Sequence, residues 1–138
     1  MNKRLPVSKS TLKEAEKRTL PPPRTLGRHW LIELKDCAPG LLQDVPGVER
    51  IMRKAATVAE VHIVSGHFHQ FSPYGVSGVL VIQESHLTIH TWPEYAYAAV
   101  DIFTCSPELR VREAIRQLQQ DLEAGEVEVK MLERGRLE

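Results

Sequence analysis

The segment from Gln83 to Glu94 concentrates side chains that could do chemistry. It reads Gln-Glu-Ser-His-Leu-Thr-Ile-His-Thr-Trp-Pro-Glu, which puts a carboxylate, hydroxyls, two imidazoles and an indole in one predicted turn and strand. Ser85 beside a histidine could act as a nucleophile with its base. The Gly-x-Ser-x-Gly pattern of a nucleophile elbow does not surround Ser85, so a hairpin turn with a polar strand face explains the same residues.

Histidine is concentrated in the same part of the chain, with five of the six between residues 62 and 90. His67 and His69 share one face of a predicted strand. His86 and His90 share a face of another, but about 13 Å apart at ~3.3 Å per residue. These two cannot hold one metal ion on a regular strand, although two strands together could build a three-His site. Polar histidines at a sheet surface or subunit interface are the commoner cause of such spacing, so we prefer that interpretation to a metal site.

Cys37 and Cys105 are too few to form a disulfide scaffold in a chain of 138 residues. We therefore expect free thiols and a soluble, intracellular protein. Cys105 ends a predicted strand and shares a face with Asp101 and Phe103. A single cysteine in such a place is commonly a small buried hydrophobic side chain. The residues alone indicate a weak candidate Ser/His/Cys site.

The hydrophobic pattern predicts the elements that position these residues. Strands are predicted over 29–34, 60–71, 76–83, 86–92 and 96–105, with a last strand through 127–131. One helix should begin after an N-cap at Asp44 and end near 57, and another should run from Pro107 to about 124, closed by Gly125. Two helices cannot cover both faces of so wide a sheet. The predicted fold class is α+β, a mostly antiparallel sheet with two helices packed on one face, so the other face must meet solvent or a partner.

The formal net charge is zero, with 18 basic and 18 acidic residues, but it is unevenly distributed. Residues 1–27 carry an excess of five positive charges and residues 28–138 an excess of five negative ones, with a Pro-Pro-Pro break at 21–23. We interpret 1–27 as a flexible basic tail and 28–138 as one domain. Zero net charge gives no support for nucleic-acid binding. Apolar runs fall short of the roughly 18 residues of a membrane span, so we expect no membrane partner and a cytoplasmic location.

Two stretches, 75–94 and 97–105, closely resemble the prokaryotic S-adenosylmethionine decarboxylase proenzymes. The resemblance runs from about Gly27 to Gly135. It implies that the chain cuts itself between Glu84 and Ser85 into a 1–84 β chain and an 85–138 α chain. Ser85 Oγ attacks the Glu84 carbonyl carbon and Ser77 assists.

The resemblance also assigns the later steps. His90 removes the α-proton of residue 85, and elimination followed by loss of ammonia leaves a pyruvoyl cofactor there. A neutral imidazole suits this task, since its ordinary pKa is ~6.5. The cofactor forms a Schiff base with S-adenosylmethionine and accepts electrons as CO₂ leaves. Cys105 returns the proton, and no metal enters this chemistry.

The substrate contacts and the assembly are implied in the same way. Phe71 and His90 pack against the adenine. Glu94 is our own candidate for contact with the ribose or the cationic sulfonium, since a cation favours carboxylates and ring faces. The product is the aminopropyl donor for spermidine synthesis. Prokaryotic relatives form dimers with active sites near the interface, so a homodimer of processed protomers would cover the open sheet face.

The chain departs from the family pattern at two positions, and two alternative functions stay open. The family usually has Tyr-Gly-Tyr where this chain has Tyr95-Ala96-Tyr97, and usually glycine where it has Ser106. Relatives that decarboxylate arginine or ornithine keep the same self-processing block, so the motif leaves these substrates open. A non-processing, His-rich dimer that binds a ligand or metal is the alternative from a different class.

Overall fold

The computed structural model describes residues 24–83, 85–106 and 109–137. Six strands and two helices make up this part of the chain. The strands are β1 (Thr25–Lys35), β2 (Ile63–Gln70), β3 (Val76–Ile82), β4 (Ser85–Trp92), β5 (Tyr97–Thr104) and β6 (Glu126–Arg136). The helices are α1 (Val45–Val58) and α2 (Val111–Asp121).

All the strand pairs are antiparallel, and the order across the sheet is β2-β3-β4-β5-β1-β6. The predicted α+β class and the antiparallel sheet are confirmed. β1 begins at Thr25, earlier than the pattern predicted, because its first residues pair with the far end of β6, where Thr25 lies opposite Arg136. Pairing across more than a hundred residues leaves no trace in a local hydrophobic pattern.

Helix α1 forms where the sequence predicts it. The Asp44 side chain accepts a hydrogen bond from the Gly47 N–H at 2.9 Å and so caps the first turn, and a proline stands within that turn. The predicted apolar stripe is buried: Val48, Ile51, Met52, Ala55. This face packs on the sheet and against α2.

Helix α2 differs from the prediction at both ends. It begins at Val111, and Pro107 lies outside the described residues. The prediction that Gly125 closes the helix is wrong. The helix ends at Asp121, Glu123 takes the left-handed conformation at φ 53°, and the Gly125 N–H donates to the Asp36 carbonyl. The apolar stripe of α2 is nevertheless buried as predicted: Val111, Ile115, Leu118, Leu122.

Cross-strand register decides which side chains face the helices. Leu80 lies opposite Leu87, which lies opposite Ile102, and all three are fully buried between sheet and helices. Residues one position away alternate to the other side. We call that other side the open face, because no helix in the described residues covers it.

The open face carries most of the histidines. His69, Ser77, His90 and Ala99 are opposite one another on successive strands, and so are His86, Phe103 and His29. His67 lies on the same side, opposite Val79. Five imidazoles from β1, β2 and β4 therefore project from a single surface.

The predicted tail mostly lies outside the described residues, which begin at Arg24. Thr25, Leu26 and Gly27, which we had placed in the tail, belong to β1. Among the described residues, neither helix is long and apolar enough to cross a membrane.

Candidate active site

Ser85 and Cys105 come together at one end of the sheet. Ser85 opens β4 opposite Thr104, the last residue of β5, and Cys105 follows directly. The Ser85 Oγ and the Cys105 Sγ are 3.7 Å apart. Cys105 is exposed, whereas Cys37 is buried, so the two thiols have different surroundings. The sequence suggested that a lone cysteine here would be a buried hydrophobic side chain, and the structure instead presents the Cys105 thiol to solvent.

Ser77 and His90 form a second pair. They lie opposite each other on β3 and β4, and their Oγ and Nδ1 atoms are 2.7 Å apart. This contact fixes the orientation of the imidazole and leaves Nε2 free of it. The ring is exposed and lies beside Trp92, with the ring centroids 6.5 Å apart. His90 is therefore held in a defined position with one nitrogen available for proton transfer.

The two pairs stand apart within one chain. Ser85 and His90 are five residues apart on a regular strand, so roughly 16 Å separates them along β4. A direct proton transfer between His90 and residue 85 of the same chain is incompatible with that length. The structure thus brings Ser85 to Cys105 and Ser77 to His90, but not the four residues to one point.

The candidate substrate-binding residues lie nearer to the second pair. Phe71 follows β2, is about half exposed, and has its ring 4.6 Å from that of His69. Its N–H donates to the carbonyl of Gly75, whose φ of 108° allows the tight turn into β3. Glu94 is exposed in the 3₁₀ turn Pro93–Tyr95 that follows β4. Phe71, His90 and Glu94 all belong to segments that leave or approach the same end of β3 and β4.

The two departures from the family pattern, Ala96 and Ser106, have different consequences for the backbone. Ala96 has φ 50° and ψ 39°, a left-handed conformation that glycine adopts without strain. The Ala96 carbonyl accepts a hydrogen bond from Cys37, which ties the turn to the core. Ser106 does not take a left-handed conformation, and its N–H donates a hydrogen bond to the Thr104 hydroxyl oxygen. The residue at position 96, not the one at 106, carries a conformational cost.

Two groupings escaped the sequence analysis because they depend on cross-strand pairing. Tyr97 stacks on Trp92 at 5.3 Å and donates its hydroxyl hydrogen bond to Glu33. Burial, reinforced by the Glu33 carboxylate, raises the pKa of Tyr97 to about 12, so the phenol stays protonated. His29 and His86 both contact Asp101 on the open face. The alternation of His86, Thr88 and His90 pointed to one face, but nothing in the local pattern showed that β1 would supply His29 to it.

Comparison with known proteins gives consistent results. The S-adenosylmethionine decarboxylase family model matches residues 28–135. The S-adenosylmethionine decarboxylase proenzyme of Moorella thermoacetica is 50% identical over 115 residues, which cover 83% of this chain and 92% of that protein. The proenzyme of Thermodesulfovibrio yellowstonii is 47% identical over 110 residues, covering 80% and 82%.

A solved structure agrees with these relatives. The crystal structure of the adenosylmethionine decarboxylase from Aquifex aeolicus superimposes with a TM-score of 0.77 at 32% identity, covering 84% of this chain and 96% of that one. The resemblance found in the motifs thus extends over nearly the whole described fold.

Proposed function

This chain belongs to the S-adenosylmethionine decarboxylase family, and from that premise we propose that it is a self-processing, pyruvoyl-dependent decarboxylase of S-adenosylmethionine that supplies the aminopropyl donor for spermidine. The observation that carries the proposal is the 3.7 Å contact between Ser85 Oγ and Cys105 Sγ. It sets the cofactor precursor next to an acid that can return a proton to the product.

The surroundings of Ser85 fit a pyruvoyl group formed at that position. The group is small, its precursor side chain is half-buried at the start of β4, and the strand pairing with β5 fixes its backbone. A pyruvoyl group supplies a carbonyl that accepts electrons during decarboxylation. Cys105, with its thiol exposed beside residue 85, is the group that donates the proton.

Self-cleavage uses protein groups only, without an added cofactor. Ser85 Oγ attacks the carbonyl carbon of Glu84, so a C–O bond forms as the peptide C–N bond breaks, and the proton passes from the hydroxyl to the new amine. His90 then takes the α-proton of residue 85, which releases the 1–84 fragment as a carboxylate. Ser77 orients His90 through their 2.7 Å contact. Glu84 itself lies outside the described residues.

The distance between the two pairs favours a site shared by two copies of the chain. His90 cannot reach residue 85 of its own chain, since roughly 16 Å of strand separates them. A second copy that packs its open face against the first could bring its Ser77 and His90 to the end of the sheet where Ser85 and Cys105 lie. Two-fold symmetry would then create two equal sites. We propose a homodimer of processed protomers in which each active site takes one pair from each chain.

Substrate recognition is assigned to the same shared surface. The exposed Phe71 ring and the His90 imidazole offer flat faces for an adenine. The Glu94 carboxylate is exposed where it could accept ribose hydroxyls or attract the cationic sulfonium. A reactive free thiol such as Cys105 suits a reducing compartment, and we place the enzyme in the cytoplasm.

Mixed dimers test the shared site. Cys105→Ala and His90→Ala chains with different tags are each inactive alone. In a co-expressed mixed dimer, one of the two sites receives Cys105 from one chain and His90 from the other. Roughly a quarter of wild-type activity should return in a random mixture, because half of the dimers are mixed and each has one intact site. The His90→Ala chain should also become cleaved in the mixed dimer. Activity and cleavage that stay absent would place the site within a single chain.

Fragment masses and substrate assays test the chemistry separately. The purified protein should show a 1–84 fragment and an 85–138 fragment whose N-terminus is blocked, and Ser85→Ala should stay one chain. CO₂ release should occur with S-adenosylmethionine. Release from arginine or ornithine instead would retain the pyruvoyl chemistry and replace the substrate, while an uncleaved and inactive wild-type chain would reject the proposal.

A further inference from the structure

Three side chains with metal-binding groups converge on the open face, about 13 Å along β4 from His90 and on the opposite side of the sheet from the side chain of Ser85, the neighbour of His86. They are His29 on β1, His86 on β4 and Asp101 on β5, the strand that lies between the other two. All three are half-buried. The established chemistry of the family motif uses none of them, so their convergence requires a separate explanation.

Their ligand atoms point to a common centre. His29 Nε2 is 2.5 Å and His86 Nε2 is 2.9 Å from Asp101 Oδ2, and the three ligand atoms lie within 4.8 Å of one another. Without a cation, the imidazole N–H groups donate to the carboxylate. Zinc-type ions bind histidine nitrogen and carboxylate oxygen at about 2.0–2.2 Å, so small side-chain rotations would admit an ion between these atoms.

Neighbouring side chains hold the three residues in place. The Thr88 hydroxyl donates to the second carboxylate oxygen of Asp101, Oδ1. The Phe103 ring packs between the imidazoles, with its centroid 5.6 Å from that of His29 and 6.0 Å from that of His86. Hydrogen bonds and packing around a ligand set fix the direction of its donor atoms and strengthen metal binding. A surface cluster formed by chance would have no reason to be supported in this way.

We propose that His29, His86 and Asp101 form a binding site for a divalent transition metal of the zinc class. Two imidazoles and one carboxylate are a ligand set for such ions, whereas magnesium and calcium prefer oxygen ligands throughout. On binding, each neutral imidazole takes the tautomer with its ring proton on Nδ1, the proton moving there from Nε2 through solvent, and coordinates through the unprotonated Nε2. Three protein ligands leave a fourth position for water or for a group from a second copy.

The site has a structural use. It joins β1, β5 and β4 on the open face near the end of the sheet where β4 begins, and no helix in the described residues covers this face. An ion there would hold the surface that packs against a second copy in a fixed shape. This role is independent of decarboxylation and goes beyond the proposed function, so it can fail while that function stands.

Cobalt and zinc binding to the purified, metal-stripped protein test the proposal. We expect one equivalent of Zn²⁺ per chain, visible d–d bands when Co²⁺ is used instead, and an increase in Tm of roughly 5 °C at saturating zinc. His86→Gln and Asp101→Asn should each abolish the cobalt bands and the Tm increase. The matched control is His67→Gln, on the same face but outside the cluster, which should bind like the wild type.

Zinc uptake by the wild type and by the variants distinguishes a metal site from a hydrogen-bonded cluster. A wild-type protein that takes up no zinc would overturn the proposal and leave the cluster as a hydrogen-bonded group that shares protons. Uptake that His67→Gln abolishes, or that His86→Gln leaves intact, would overturn it as well. Because His86→Gln or Asp101→Asn could impair folding, cleavage at residue 85 and the circular dichroism of each variant are recorded alongside. If both variants are unfolded, a wild-type protein without zinc still overturns the proposal, and His29→Gln, which removes the third ligand, tests where any bound zinc lies.

Discussion

At the scale of single residues, Ala96 shows how a departure from the family pattern becomes a measurable cost. The residue is held at φ 50°, where an alanine side chain crowds its own backbone and glycine does not. We expect Ala96→Gly to increase the free energy of unfolding by about 0.5–1 kcal/mol, as measured by urea denaturation. Ala98→Gly is the control: Ala98 is fully buried in β5, so the same change should destabilise the protein. A loss of stability in Ala96→Gly would contradict this reading of the turn.

The two thiols differ enough to be told apart chemically. Cys37 is 4% exposed, and burial raises its pKa to about 11, so the reactive thiolate is scarce at pH 8. Cys105 is exposed. Iodoacetamide at pH 8 should therefore add one label per chain, on Cys105, as an intact-mass shift. Cys37→Ala should keep that label and Cys105→Ala should lose it; rapid labelling of Cys37 in the native protein would show that the core opens there.

At the scale of elements, the edge strand β2 depends on a glycine in its neighbour. Gly78 of β3 lies opposite Phe68, and a Cβ at position 78 would come within 2.1 Å of that ring. Gly78→Ala should displace Phe68 and loosen β2, at a cost of about 1–3 kcal/mol. Urea denaturation gives the stability, and amide exchange should accelerate in β2 first. Gly40→Ala is the control, since a Cβ there has nothing within 4 Å. Equal effects of the two substitutions would reject the packing argument.

Local patterns predicted the elements well where the cause is local. Helix α1 begins after the capping side chain of Asp44, and its stripe at Val48, Ile51 and Met52 is buried, because both features act within a few residues. The end of α2 was not predicted, because Glu123 takes the left-handed position that closes the helix and the Ala124 N–H donates to the Gln119 carbonyl, two residues before Gly125 is reached. A glycine near the end of a helix is therefore not always the residue that closes it.

The sequence predicted which residues belong to the candidate site, but not how the fold arranges them. Motif resemblance identified Ser85, Cys105, Ser77 and His90, and the contacts pair them two by two. Strand geometry then separates His90 from residue 85, a consequence of the extended backbone that a motif cannot express. The grouping of His29 with Asp101 required the position of β1 beside β5, which only the folded sheet provides.

At the scale of the whole molecule, the asymmetry of the sheet supports the proposal that two chains share each active site. One face is buried by both helices, while the open face keeps apolar and ring side chains accessible, among them Val81 at 41% and Trp92 at 40% exposure. An antiparallel sheet can leave a polar face to water, but a face that exposes apolar and ring side chains points to an interaction surface. His90 is distant from residue 85 of its own chain, and the open face is the surface through which a second copy could supply its His90.

Charge placed on either side of the sheet distinguishes this assembly from other dimers. Val81 lies on the open face, opposite His86, and Val129 lies on the helix side of β6, opposite Ile32. The two valines are 41% and 42% exposed, so a lysine at either position should be tolerated equally by the fold of a single chain. If the open faces meet, Val81→Lys buries two cations in the interface, which should shift the protein to monomers in light scattering and abolish cleavage and activity together. Val129→Lys should stay dimeric and active; monomers produced by Val129→Lys, with Val81→Lys still dimeric, would place the interface on the helix side instead.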